Sequence, residues 1–342
     1  MFGIAHKMLF ALGPHRAHSL AMKGLGALEH SSTLRAAFAA RAPRLEVTAM
    51  GLTFPTPVGL AGGFDKNATR PRALAALGFG FLELGTVTAE AQAANPTPNL
   101  FRLEADHALV NRLGFPNDGA RVVCERIGRV KGDIGVPVGV SIGKSRSVPA
   151  SDLQQVIADY TASFAHAARV ADFIVVNVSS PNTSDLRSLQ GAAYARELLG
   201  ALRRKNDAQL PLLVKVAPDL EDDAFAALLD VVRELDISGV VATNTTVKRE
   251  GLRTPASVVE AIGAGGLSGP PLRARALSMV AAARAKLGPA ATIIGVGGIE
   301  NGEHAAAFLA AGATLLQIYT GFIYGGPNVA ASITEHLVRQ RA

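Results

Sequence analysis

The sequence predicts an α/β fold, a (β/α)8 TIM barrel carrying an N-terminal amphipathic helical extension. Past residue 45, short β-branched runs alternate with helical stretches until eight such units have been laid down. Parallel strands covered on both faces read as continuous apolar runs, and eight strand–helix units close a barrel. The same runs end in small polar residues and glycines, which is how barrel strands look where they leave the core and carry chemistry on their C-terminal loops. No Gly-x-Gly-x-x-Gly follows the first strand, as the competing doubly wound open sheet would ask.

Composition supports a single well-packed chain. Its 342 residues are 49% hydrophobic and 18% charged, with a mean hydropathy of +0.25, so a large core is within reach and wholesale disorder is excluded. Barrels of this kind run near this length as one domain. The lone Cys124 excludes an intrachain disulfide framework and a Cys-rich metal or iron–sulfur site; it suits a reducing compartment and reads as a buried structural thiol.

The first element is basic. Residues 1–44 hold six Lys or Arg against Glu29 alone, about +5 of the chain's net +6, so the remainder is nearly neutral. A nucleic-acid-binding field is therefore not supported, and no aromatic-interleaved basic patch appears. Ile4, Ala5, Met8, Leu9 and Leu12 share a helical face opposite His6 and Lys7; Pro14 breaks the run. A second helix is expected from about Arg16, with Leu20, Ala21, Gly24, Leu25 and Leu28 at helical spacing. Both apolar runs are too short to span a bilayer. A basic hairpin lying on a membrane surface, a plain cap on the barrel, and a transit peptide all fit this pattern.

Inner strands are expected at 58–62, 80–87, 136–142, 173–178, 212–217, 239–243, 292–297 and 315–320, each a short apolar, β-branched run. Helices are expected between them at 151–169, 192–205, 222–235, 273–287 and 303–311. The strand ends, in order, read Ala61-Gly62-Gly63-Phe64-Asp65-Lys66, Gly85-Thr86, Ser141-Ile142-Gly143-Lys144, Asn177-Val178-Ser179-Ser180-Pro181-Asn182-Thr183, Lys215, Thr243-Asn244-Thr245, Gly297-Gly298 and Tyr319-Thr320-Gly321.

Two amides and several hydroxyls at the fourth strand end suit a flat polar ring, although Ser, Pro and Asn also favour ordinary turns. Lys66 and Lys215 at two strand ends call for anionic ligands, since an unpaired buried ammonium is costly. Glycine-rich turns after strands seven and eight, opening onto helices, form the phosphate site typical of such barrels. Gly265-Gly266-Leu267-Ser268-Gly269 on the preceding loop adds backbone donors. A phosphate there, with a flat ring over Lys215 and Asn177, describes flavin mononucleotide (FMN).

Taken together, these segments resemble one family closely: the class 2 dihydroorotate dehydrogenases, membrane-associated and quinone-reducing. The resemblance covers nearly the whole chain and rests on the strand-end motifs above together with Asn111-Arg112-Leu113-Gly114-Phe115, Lys215-Val216-Ala217-Pro218, Ala242-Thr243-Asn244-Thr245-Thr246, Gly266-Leu267-Ser268-Gly269 and Gly295-Val296-Gly297-Gly298. It implies oxidation of (S)-dihydroorotate to orotate in pyrimidine synthesis, with a hydride passed to FMN and electrons then to a quinone. Lys66, Asn111, Asn177, Asn182 and Asn244 would hold the substrate's carboxylate and ring amides, with Arg112, Leu113, Gly114, Phe115 and Thr245 in the same substrate motifs. Ser180 would be the base, aided by a proton relay near Phe115 and Thr183; class 1 enzymes place Cys at that position. Cofactor contacts would come from Ala61, Gly62, Gly63, Lys66, Thr86, Ser141, Asn177, Lys215, Thr243, Gly269, Gly298, Tyr319 and Thr320. Ser141 departs from the family's usual Asn, so a shorter side chain, with a water filling the gap, is expected there.

The resemblance also interprets the N-terminus. Residues 1–45 would form a helical membrane and quinone-tunnel segment and 46–342 the catalytic barrel, with His18, Arg102 and Tyr319 near the quinone. It implies a peripheral protein on an anionic membrane surface, at the cytoplasmic face of a bacterial inner membrane, and a monomer. A soluble flavoprotein of the same barrel using fumarate or NAD, and a phosphate-binding barrel without redox chemistry, are the alternatives.

Overall fold

The computed structural model describes residues 11–39, 42–182 and 186–341. Two helices lead into the barrel: α1 (Pro14–His30) and α2 (Ser32–Ala39), with the chain turning at Ser31. Pro14 opens α1 rather than only breaking a preceding run, because a helix's first turn has no use for the missing N–H. The expected first helix falls, apart from Ala11 and Leu12, outside the described residues, so the hairpin seen here is formed by α1 and α2.

Glu29, the single acid of the basic segment, is the point where the hairpin docks. Its carboxylate is buried and accepts from Arg72 Nε at 2.9 Å and from the Ala73 backbone N–H at 2.8 Å, in the first turn of α3 (Pro71–Ala76). A carboxylate suits a helix N-terminus, where backbone donors lack intrahelical partners. Glu29→Ala is expected to destabilise the protein by about 2 kcal/mol, the scale of charge-assisted bonds lost from a buried site. Urea unfolding checks this, and an unchanged midpoint would reduce the contact to a passive one.

A short hairpin follows, β1 (Val47–Ala49) paired antiparallel with β2 (Leu52–Phe54). The eight barrel strands are β3 (Val58–Leu60), β4 (Leu82–Val87), β7 (Val138–Ile142), β8 (Phe173–Asn177), β9 (Leu212–Val216), β10 (Gly239–Ala242), β12 (Thr292–Val296) and β13 (Leu315–Ile318). They pair in parallel and close in the order β3-β4-β7-β8-β9-β10-β12-β13, each inside its expected span. Between them run α4 (Ala120–Val130), α5 (Leu153–Ala167), α6 (Ala192–Arg204), α7 (Asp222–Glu234), α8 (Ala256–Ile262), α9 (Arg273–Leu287) and α10 (Gly302–Ala310); α11 (Thr320–Gly325) and α12 (Val329–Arg341) follow the last strand.

Alternation along each strand separates two cores. Outward residues such as Val140, Ile174 and Leu316 pack beneath the helices, while Phe81, Phe173, Val175, Leu213 and Leu315 fill the barrel. Phe54 reaches up from β2 into the floor, its ring 5.4 Å from Phe81, and Phe81 lies 6.1 Å from Phe173. Gly59 and Gly139 leave room for these rings, since a Cβ would sit 2.3 Å from Phe81 or 2.2 Å from Phe173. With the floor closed by aromatic rings, ligand space remains only toward the C-terminal strand ends. Cys124 is buried in α4, and burial pushes its thiol up to about 12, as an inert structural thiol requires.

Two sheets had no counterpart among the expected elements: the β1–β2 hairpin and a three-stranded one. β5 (Leu100–Leu103), β6 (Ala108–Asn111) and β11 (Gly266–Ser268) form an antiparallel sheet in the order β11-β6-β5. It gathers residues from two long connections of the barrel, and it turns the glycine-rich segment 265–269, read from sequence as a loop, into an edge strand.

Candidate active site

A cleft opens at the C-terminal end of the barrel. Seven of the eight barrel strands, or the turns just beyond them, contribute to its wall, as do Asn111 at the tip of β6 and Ser268 at the tip of β11. β7 is the exception.

The deepest layer is ionic. Lys215 on β9 pairs with Glu83 on β4 at 3.0 Å, and the second Glu83 oxygen accepts from Gln317 Nε2 on β13 at 2.7 Å. All three side chains are buried. A carboxylate and an ammonium so deep in a barrel persist because each is paired. Gly62 makes the space: a Cβ there would meet Glu83 Oε1 at 2.1 Å.

Above this layer the strand tips are tied by short polar side chains. Asn177 Nδ2 donates to Thr86 Oγ1 at 2.9 Å, and Asn177 Oδ1 accepts from Ser179 N and Ser179 Oγ at 3.2 and 2.9 Å. Asn244 Nδ2 donates to Ser179 Oγ at 2.9 Å, and Asn182 Nδ2 to Asn111 Oδ1 at 3.0 Å. Four amides expected from three separate segments thus converge on one wall. Ser180 is buried in it, and its Oγ accepts from Asn182 N at 3.2 Å. Phe115, held at φ 54 in the left-handed region, lines the same cleft with Leu113 and Gly114. Arg187 clamps the segment from behind: Nε donates to Ser179 O at 3.3 Å, one terminal nitrogen to Asp219 at 2.6 Å, and the other to Thr245 O at 2.9 Å.

The far end is built for an anion. Gly298 has φ +69, and a Cβ on it would come 2.8 Å from Gly269 O. Thr320 opens α11, and its hydroxyl is bonded to Ser268 Oγ at 2.8 Å. Arg273 holds the turn, donating from Nε to Gly298 O at 2.7 Å while pairing with Glu300 at 2.7 Å. Backbone donors at a helix start, on a turn where only glycine fits, are a common means of gripping a phosphate.

Lys66 stands at the outer edge, its Nζ bonded to Gly63 O. Burial lowers its ammonium to about 8, with the Asp65 carboxylate opposing. Asp65 itself is occupied structurally, accepting from Thr69 N and Arg70 N at 2.8 Å each.

Behind Lys66 lies a second, mainly apolar cavity of about 500 Å³, between α1 and the barrel. His18, Arg102 and Tyr319 all line it, beside Leu25, Leu77 and Phe322. Lys66, Leu113 and Tyr319 line both cavities, so the two share a wall one side chain thick. His18 packs edge-on against Phe64 at 5.4 Å. Burial, then the charges of Lys66 and His15, lower its imidazole to about 4, which keeps it neutral at physiological pH. Burial likewise pushes the Tyr319 phenol up to about 12.

Most sequence-predicted residues meet at these two cavities: Ala61, Gly62, Gly63, Lys66, Thr86, Asn111, Leu113, Gly114, Phe115, Asn177, Ser180, Asn182, Lys215, Thr243, Asn244, Thr245, Gly269, Gly298, Tyr319 and Thr320 at the first, and His18 and Arg102 at the second. Two take other places. Ser141 stands behind the wall, fully buried and bonded to Thr86 Oγ1 at 2.9 Å, so it supports a lining residue without lining the cleft itself. The Arg112 side chain points away, donating to Ile262 O and Ala264 O and stacking 4.7 Å over Phe101. Thr183 lies outside the described residues. Glu83 and Gln317 were not anticipated, although a Glu inside the apolar run 80–87 and a Gln inside 315–318 were the signals available. No cluster of potential metal ligands occurs among the described residues.

Comparison with known proteins agrees with this geometry. The family model for dihydroorotate dehydrogenase matches residues 44–340. The curated protein "Dihydroorotate dehydrogenase (quinone)" of Corynebacterium efficiens is 48% identical over 98% of this chain and 88% of its own length. The protein of the same name from a Nocardioides strain is 50% identical over 92% and 90%. A crystal structure of the Eimeria tenella enzyme in complex with ferulenol superposes with a TM-score of 0.86 at 35% identity, covering 96% of this chain and 91% of that one. The chain belongs to the dihydroorotate dehydrogenase family, within its quinone-dependent class.

Proposed function

We propose that this protein oxidises dihydroorotate to orotate with bound FMN and delivers the electrons to a quinone drawn from a membrane. The observation that carries the reading is the shared wall: a polar cleft of amides and lysines on one side, an apolar cavity roofed by α1 on the other, and one layer of side chains between them. A substrate with a carboxylate and two ring amides fits the first, and a lipid-soluble acceptor fits the second.

The cleft suits FMN on its own terms. The tightly packed glycine turn at Gly269 and Gly298 would take the phosphate, Lys215 stands where the flat ring would lie, and the floor carries an acceptor, Gln317 Oε1, that finds no partner in the protein. When bound there, FMN supplies a two-electron acceptor that can also be emptied by a quinone.

The remaining chemistry belongs to the chain. Lys66 would pair with the substrate carboxylate, and Asn111, Asn177, Asn182 and Asn244 would hold its ring amides, fixing the carbon that loses a proton above Ser180. Donors fixed in this way reject analogues that lack the polar edges. Ser180 Oγ would take the proton from C5 while its own hydroxyl proton passes into a water relay near Phe115 and Thr183. A serine hydroxyl is a weak base, so it relies on its surroundings: the Asn182 N–H on its oxygen and the Arg187 clamp define its position, and Phe115 shields it. Lys215 would stabilise negative charge accumulating on the ring's pyrimidine end.

Residues 1–45 would act as the membrane and tunnel segment, and 46–342 as the catalytic barrel. Leu20, Leu34 and Phe38 on α1 and α2 are among the few exposed large apolar side chains of the described residues, and the segment is basic, as contact with an anionic surface asks. No helix among the described residues is long and apolar enough to cross a membrane, so contact from the cytoplasmic face as a peripheral monomer is the arrangement proposed.

An anaerobic absorbance trace tests the whole scheme. Dihydroorotate should bleach the flavin band, and a quinone should then restore it. A band that stays bleached would remove the quinone half, and no band even after FMN is supplied would remove the enzyme reading.

Lys66 carries a pH prediction. Its ammonium is complete below about 8 and lost as pH rises through that value, whereas a bound carboxylate would hold the proton on. Orotate affinity should therefore fall about tenfold per pH unit just above 8. Titrating orotate against the flavin absorbance measures this. Lys66→Arg, charged throughout, should flatten the fall, and an equal fall in that variant would place the titration elsewhere.

A further inference from the structure

We propose that Glu83 and Gln317 form a cofactor-reading pair: Glu83 locks the Gln317 amide so that Gln317 Oε1 accepts a hydrogen bond from a hydroxyl of the chain linking FMN's ring to its phosphate. The inference rests on the FMN reading above.

Glu83 bonds Lys215 through Oε1 and Gln317 Nε2 through Oε2. Amide nitrogen and oxygen are hard to tell apart by shape, but chemistry decides here. A carboxylate paired with an ammonium is acceptor-only, so the Gln317 NH₂ must face it and Oε1 must face away. That oxygen is buried and has no hydrogen-bond partner. Five buried side-chain atoms among the described residues share this condition, and Gln317 Oε1 alone belongs to a residue lining the cleft. An unsatisfied buried acceptor costs free energy of the order of a lost hydrogen bond, so an unpaired acceptor on a residue lining a binding cleft points to a donor arriving with the ligand.

Position selects the donor. Gln317 sits on β13 three residues before Thr320, at the anion cradle, while Lys215 on the ring side reaches the same Glu83. With FMN in the orientation proposed above, the linking polyol would run between those two ends and past this amide. Hydroxyls are the donors that segment carries. Glu83 acts as a positioning residue, since it reaches the ligand only through Gln317 and Lys215. Gly62, which a Cβ would drive into Glu83 Oε1, keeps the carboxylate in place.

Binding of FMN and its analogues to the apoprotein, followed by quenching of flavin fluorescence, tests the pair. The wild-type protein should bind at least one FMN analogue lacking a single linker hydroxyl about tenfold more weakly than FMN. Gln317→Leu should bind FMN and that analogue equally, and Glu83→Gln should lose the same discrimination because either end of its amide can face Gln317. Glu83→Gln should also move the flavin midpoint potential to more positive values, since a negative charge beside Lys215 is removed; a purely structural role would leave it unmoved. The analogue comparison in wild-type protein needs no variant, so a variant that does not fold leaves the test intact. If every deoxy analogue binds wild-type protein as tightly as FMN, the proposal falls while the FMN reading stands. If an N3-methyl flavin shows the coupling to Gln317 instead, the acceptor reads the ring and the hydroxyl assignment is overturned. If wild-type apoprotein binds no flavin, both readings fall together.

Discussion

Replacing Ser180 with Ala is expected to slow flavin reduction by dihydroorotate about 10²–10⁴-fold, the usual worth of a positioned general base, while the flavin stays bound and visible. The two effects would separate because Ser180 lies beside Asn182 and Asn111, on the wall proposed for the substrate, whereas the cofactor end is proposed at Lys215, Gly269 and Gly298. Stopped-flow reduction under anaerobic conditions reads the first and the absorbance spectrum reads the second. Near-normal reduction would take the base role from Ser180. The residue is small and buried, and alanine removes one oxygen without crowding, so loss of folding is not an expected complication. The substitution also frees the Asn182 N–H that Ser180 Oγ accepts from, so a modest rise in the substrate's KM should accompany the fall in rate.

Deleting residues 1–44 is expected to leave flavin reduction by dihydroorotate intact while lowering turnover with a lipid quinone about 10²-fold, the scale of a reactant that is no longer held in place. All eight barrel strands lie beyond the cut, as do both rims of the polar cleft. The apolar cavity, by contrast, loses His18, Leu25 and the rest of its α1 wall. The same deletion should release the protein from vesicles containing anionic lipid. Phe64, Leu77 and Phe322 would face water in the shortened protein, so detergent is needed to keep it dispersed. Full-rate reduction of a lipid quinone by the truncated protein would sink the tunnel reading. Because Glu29 leaves with the segment and Arg72 keeps Asp133 at 3.3 Å, the barrel is expected to remain folded.

The polar residues that the fold gathers were legible wherever chemistry and strand end coincided. Asn177 and Thr243 each follow an apolar run directly and read as mouth residues, whereas Lys215, also read at a strand end, lies deeper and pairs with Glu83. Asn111 was found through its motif rather than through periodicity, because β6 belongs to a small antiparallel sheet that no alternating run announces. Arg112 and Ser141 show the limit of reading by motif. Adjacent residues on a strand face opposite ways, so Asn111 enters the cleft while Arg112 turns back to Ile262 O. Ser141 has a side chain too short to pass Thr86. Glu83 and Gln317 had the opposite fate: each looked like an isolated polar residue in an apolar run, and neither names its partner.

By itself, the sequence determined the barrel, the eight strand ends, the glycine-rich turns beside its last two strands and the basic character of the N-terminal segment, because these depend on spacing and composition that are local along the chain. Only the tertiary structure decided that Glu83, Lys215 and Gln317 meet in one buried layer, that Glu29 is the latch of the hairpin, and that Lys66, Leu113 and Tyr319 divide a polar cleft from an apolar one. Those facts rest on contacts between residues up to 234 positions apart. The closure of a barrel, which brings β4, β9 and β13 around one axis, is the step that creates them.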